Sequence, residues 1–207
     1  MPLIDVHPGR KLTPGEIKLA KEVFGDKIDY DIVRVCHSPH LFSNTSFTPH
    51  GDIYLSSTDY QNDFSVGSVD ADKKEIFFHE MEHVRQHQQG QSVVGSALKL
   101  YFENRGNYGS AYFLDGARDF GKMNIEQQAS VVGQYYGQKA RAEQQFKDIG
   151  GNLAETKVQY GVDFYERILR EAGFPLEQPR IPTLSHAIDQ SPPTAAPATR
   201  SKPRTVT

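Results

Sequence analysis

Residues 70–90 read DADKKEIFFHEMEHVRQHQQG, and the fold and the chemistry are both decided there. Asp70 or Asp72 can cap a helix that runs to about Gln89 and is closed by Gly90. Ile76, Phe77 and Phe78 would bury that helix. Within it, His79-Glu80-Met81-Glu82-His83 has the H-E-x-x-H form. Residues four apart on a helix share a face, about 6 Å apart at Cβ, so two imidazoles can grip one tetrahedral Zn²⁺. Glu80 lies one position on and points elsewhere, where it suits a general base acting on an activated water. Burying two His and two Glu on one helix is costly unless they have a partner. The competing reading is a solvated helix with incidental histidines, which the glutamine-rich run 86–89 favours.

A catalytic zinc needs a third protein ligand and one open position. A histidine six residues after His83 would supply it, but that position is Gln89. The choice is then a downstream group. Glu126 opens a helix at Asn124-Ile-Glu-Gln-Gln-Ala129, and Asp115 and Asp119 are rivals. Spacing alone ranks Glu126 only slightly above Asp119. Glu126 also has the ordinary role of a first-turn carboxylate at a helix N-terminus.

On the N-terminal side, Thr13-Pro14-Gly15-Glu16 has the form of a capping box, and Ile17, Ala20 and Phe24 recur at helical spacing before Gly25. Ile32, Val33 and Val35 read as a short strand. Pro49-His50-Gly51-Asp52 is a turn signal, so a hairpin is expected between Ser46 and Leu55, with loop from Asp59 to Asp70. Downstream, Val93–Phe102 reads as a helix and Asn104–Gly121 as loop. A long helix is expected from Asn124, and a last one over roughly Leu153–Ala172, stopped by Gly173 and Pro175. The fold class expected is α+β: a small N-terminal β element packed against a mainly helical core.

The chain has 207 residues, 37% hydrophobic and 24% charged, enough for one packed domain without staples. Residues 1–190 are expected to form it. Residues 191–207 carry four prolines and three basic residues and are expected to be a disordered tail. Without that tail, 20 basic residues face 26 acidic ones. The balance gives no case for nucleic acid as a partner. No run approaches 18 apolar residues, so no membrane insertion is expected, and the first residues lack the apolar stretch of a secretory signal. Cys36 stands alone and excludes a disulfide framework; a buried small apolar role is expected for it.

Three stretches resemble the Vgr-related zinc metallopeptidase proteins linked to the spikes of bacterial type VI secretion. They are Leu12-Thr-Pro-Gly-Glu-Ile17 with Val23-Phe-Gly-Asp-Lys-Ile-Asp-Tyr30, then Phe78–Gln86, then Asn124–Ala129. The resemblance covers most of residues 12–136. It implies a zincin-like core in which His79, His83 and Glu126 bind Zn²⁺ and Glu80 is the base. It also implies an antibacterial effector or toxin that cleaves a protein or peptide substrate. The partners it implies are a Vgr-type spike and a cognate immunity protein. The protein would be made in the bacterial cytoplasm without a signal peptide, exported by type VI secretion, and active in the target periplasm. The alternative is a non-catalytic spike adaptor with a structural zinc.

Two departures stand out. Ser130 occupies the place where thermolysin-like enzymes carry an Asp that orients a zinc-bound His, so that support must come from elsewhere. Arg85 and His87 stand where an aromatic pair is expected, which bears on the cleft wall, and His87 is expected to be exposed. For the oxyanion donor, Tyr101, Tyr135 and Tyr136 are candidates, although core packing is the commoner role of such residues. His37, His40 and His50 belong to the β region, and His7 and His186 lie near the ends.

Overall fold

A computed structural model describes residues 9–39, 46–103, 119–148 and 159–177. Three short strands come first: β1 (Arg10–Lys11), β2 (Arg34–His37) and β3 (Ile53–Leu55), with α1 (Pro14–Phe24) between β1 and β2. Four further helices follow: α2 (Ala71–Gln88), α3 (Val93–Glu103), α4 (Ile125–Asp148) and α5 (Gln159–Glu171). The architecture is α+β, as expected.

The capping box of α1 forms in full. Thr13 Oγ1 accepts from the Glu16 amide at 3.1 Å, and the Thr13 amide donates to Glu16 Oε2 at 2.8 Å. Gly25 ends the helix at φ 57°, a conformation that suits only a residue without Cβ. The sheet has the order β1-β2-β3, antiparallel at the first pairing and parallel at the second. The expected hairpin shrinks to one bridge, Phe47 with Tyr54, closed by amide–carbonyl bonds of 2.8 and 2.9 Å. β3 finds its main partner in β2 instead. The strand read at Ile32–Val35 lies at Arg34–His37, and Ile32 is exposed, because the pairing with Ile53–Leu55 starts at Val35.

α2 and α4 pack side by side to form the core on which the site stands. Phe78 stacks on Tyr136 at 3.6 Å between ring centres, and Phe77 stacks on Phe64 at 4.5 Å. The two helices meet closely at Gly133 and Gly137. A Cβ at Gly133 would lie 2.9 Å from the Glu75 carbonyl oxygen and 3.2 Å from His79 Cβ. A Cβ at Gly137 would lie 2.9 Å from Glu75 Cβ. Across α4, Lys139 forms a buried 2.8 Å ion pair with Glu22 of α1. Val162, Ile168 and Leu169 bury one side of α5, and Gly173 turns the chain at φ 77°. Within the stretch read as loop, Phe120–Lys122 form a single 3₁₀ turn. The start of the last helix, most of that loop and the 191–207 tail lie outside the described residues.

Candidate metal centre

α2 is not a solvated helix. Phe77, Phe78 and every residue from Glu80 to Gln86 are buried, and His79 alone among these keeps an exposed edge. The helix presents His79 and His83 one turn apart, and their rings meet edge to face at 4.9 Å. Glu126 arrives from the first turn of α4. The start of that helix is fixed by a reciprocal cap. The Gln127 amide donates to Asn124 Oδ1 at 2.9 Å, and the Asn124 amide donates to Gln127 Oε1 at 3.0 Å.

Glu126 Oε2 lies 3.3 Å from both His79 Nε2 and His83 Nε2. The three ligand atoms all fall within 4.8 Å of one another. Tetrahedral bonds of about 2.0–2.1 Å to one zinc ion place ligand atoms about 3.4 Å apart. Side-chain exposure is 18% for His79 against 5% for His83 and for Glu126, so the cluster opens to solvent on the His79 side. Asp119, the rival to Glu126, points away: it caps the 3₁₀ turn and pairs with Lys122 at 3.0 Å on the surface. Asp115 lies outside the described residues.

Gln86 determines which nitrogen of His83 is available. Its Nε2 sits 3.0 Å from the Ile125 carbonyl, which can only accept, so its Oε1 faces His83 Nδ1 at 2.8 Å. His83 therefore donates from Nδ1, and its Nε2 lone pair faces the Glu126 carboxylate. Two acceptors 3.3 Å apart need a cation between them, either a proton or a metal ion. With a proton there, burial pulls His83 toward its neutral form, but the Glu126 hydrogen bond and the nearby Glu80 charge outweigh it and raise the pKa to about 9. Burial likewise pushes the Glu126 carboxyl up, and hydrogen bonds from His79 and His83 outweigh it and hold the pKa far below the usual carboxylate range. Two imidazoles and a carboxylate brought together in this way are a donor set that would suit a zinc ion with one position left open.

Glu80 is outside the cluster. Its Oε2 accepts from Thr48 Oγ1 at 2.8 Å, and Thr48 is buried on the turn before β3. Thr48 and Gln86 are the two residues that sequence reasoning missed. Gln86 lies three residues after His83, a spacing that puts it on the adjoining helix surface, but the glutamine-rich run masked it. Thr48 carries no local signal, since its contact spans 32 residues.

Arg85 faces away from the cluster. It grips buried Glu82 through two bonds of 2.5 and 2.7 Å and covers the Phe174 ring, so it builds no cleft wall. His87 is half-buried rather than exposed, because the turn at Gly51 (φ 85°) seats on it; a Cβ there would lie 2.7 Å from His87 Cδ2. Tyr135 and Tyr136 pack in the core, and Tyr101 stands exposed on α3. His37 stacks on Tyr60, Cys36 is buried against Gly9, and His7, His40 and His186 lie outside the described residues.

No family model matches the chain. It is 37% identical over 141 residues to the type VI secretion system spike protein VgrG2b of Pseudomonas aeruginosa. That alignment takes in 65% of this chain but only 14% of the spike protein's length. The solved structure of the effector domain of P. aeruginosa VgrG2b superposes with a TM-score of 0.53 at 32% identity, over 76% of this chain and 86% of that domain. No described helix is long and apolar enough to cross a membrane. With most of the solved domain matched in sequence and in fold, the chain belongs to the family of the VgrG2b effector domain, and so to the Vgr-related proteins of type VI secretion.

Proposed function

We propose that this chain is a zinc-dependent metallopeptidase acting as a type VI secretion effector. The observation that carries the reading is the division of labour on α2. Two of its side chains converge with Glu126 on one point, while Glu80, between them in sequence, is held apart by Thr48. A purely structural site has no use for a base kept beside an open position.

His79, His83 and Glu126 would hold the ion, with Gln86 fixing the His83 ring so that Nε2 faces it. When bound, zinc supplies a Lewis acid that polarises a carbonyl and brings the pKa of a water to about 7. Glu80 takes the proton of the attacking water and carries it to the departing amine. Thr48 donates to one Glu80 oxygen and leaves the other for that proton. The solvent-facing edge of His79 is where a polypeptide backbone enters.

The effector role rests on the relationship with the VgrG2b effector domain. A Vgr-type spike is the carrier it suggests, with an immunity protein to protect the producer and a substrate in the target periplasm. A spike adaptor with structural zinc is the other reading, and one experiment separates them. Glu80→Gln is expected to keep one zinc per chain and lose hydrolysis of a denatured protein substrate, by about 10²–10⁴-fold. His83→Ala is expected to lose both. Chelation is expected to abolish activity with the circular dichroism spectrum kept; unfolding on chelation would favour the adaptor. Wild type and His83→Ala equally devoid of zinc would refute the metal reading.

A further inference from the structure

One helical turn beyond His83, a cavity of about 200 Å³ opens between the Pro49–Gly51 turn and the start of α3. Pro49, Val93 and Val94 give it apolar wall, and His50, His87 and the Gly90–Ser92 corner between α2 and α3 line the rest. Within that lining the His50 and His87 rings meet edge-on at 6.4 Å. No Asp, Glu, Lys or Arg lines it. Two elements link the lining of the cavity to the metal centre. His79, His83 and His87 follow one another at four-residue steps on one face of α2. Thr48, which holds Glu80, is followed directly by Pro49 and His50.

We propose that this cavity receives a leucine- or phenylalanine-sized apolar side chain of a polypeptide substrate, beside the bond to be cut; this rests on the peptidase reading of the adjoining centre. The volume suits one large side chain, and a lining without Asp, Glu, Lys or Arg offers an ionised one no carboxylate, ammonium or guanidinium partner. From Val94 at its rim, Leu98 and Phe102 follow at four-residue steps on α3, and the three are 47%, 55% and 69% exposed. They carry an apolar surface about 12 Å onward, a length for a chain of residues rather than a small molecule.

The test uses the full chain loaded with zinc and a series of short peptidyl hydroxamates that differ only in the side chain next to the metal-binding group: glycine, leucine, phenylalanine, aspartate and lysine. Calorimetry is expected to give leucyl and phenylalanyl compounds about tenfold tighter binding, or more, than glycyl, aspartyl or lysyl ones. Val94→Trp, which fills the rim, is expected to bring the leucyl-to-glycyl ratio to within about twofold of one, and Val94→Asp to reverse the order of leucyl and lysyl. Equal affinity across the series, preference for a charged side chain in wild type, or an undiminished leucyl preference in Val94→Trp would overturn the subsite. Metal analysis of the same samples separates the two failures. Zinc bound without side-chain preference sinks the subsite alone, whereas no zinc and no hydroxamate binding sinks the catalytic reading with it.

Discussion

Two helices in this protein begin alike and diverge in purpose. α1 and α4 each start with a reciprocal cap, Thr13 with Glu16 and Asn124 with Gln127. Each carries a buried carboxylate in its first turn, Glu16 and Glu126. Glu16 is clasped by the Arg10 guanidinium through two 2.7 Å bonds and accepts from the amides of Thr13 and Phe64. Arg10 supplies its countercharge, and these bonds tie α1 to β1 and to the loop before α2. Glu126 faces two imidazoles instead, groups whose charge depends on what sits between. Helix starts place buried carboxylates cheaply; the partner decides whether the carboxylate is mortar or stays open to a cation.

The widest separation between the two comes from neutralising each. Glu126→Gln is expected to weaken zinc binding by about a hundredfold or more while the fold stays intact. Glu16→Gln is expected to leave the zinc constant unchanged but cost about 3–5 kcal/mol of stability, because Arg10 loses its countercharge. Chelator competition and denaturant melts of both variants provide the check. A next contrast is pH. Metal-free His83 holds a proton up to about pH 9, which a zinc ion would have to displace. Apparent zinc affinity is therefore expected to rise with pH through neutrality and level off above about 9, whereas no histidine takes part in the Arg10–Glu16 clasp. The sign for metal-free stability is opposite: a raised histidine pKa stabilises below its unfolded value near 6.5 and that contribution is lost as pH climbs through about 9.

Smaller effects probe how the centre is supported. Gln86→Leu removes the acceptor that orients His83 and is expected to lower zinc affinity about 10–100-fold. Gly133→Ala thrusts a methyl at the Glu75 carbonyl and at His79, and about 1–3 kcal/mol of stability is expected to go, with a weaker zinc constant following from the displaced His79. An Ala at exposed Gly67, which has open space around it, is the control.

The sequence made some of this readable and hid the rest, for physical reasons. Caps and the H-E-x-x-H spacing are local, so both helix starts and the α2 histidines could be read directly. Glu126 and Asp119 were nearly level on spacing; what separates them is whether the side chain turns inward, which tertiary packing decides. Gln86 belongs to a glutamine-rich run that favours a solvated helix, and only its bonds to His83 and the Ile125 carbonyl reveal its place. Gly133 and Gly137 betray a close helix contact only once a partner helix is known. His87 is half-buried through a turn 36 residues earlier in the chain, a contact no periodicity records.

The proposed centre is one cation held by three side chains from two helices. Anomalous scattering from crystals of the zinc-loaded protein, recorded on both sides of the zinc absorption edge, tests it directly. A single strong peak per chain is predicted, about 2.0–2.2 Å from His79 Nε2, His83 Nε2 and a Glu126 oxygen, and absent from Glu126→Ala crystals. Density without a peak at that point, or a peak that survives the loss of Glu126 unchanged, would contradict it.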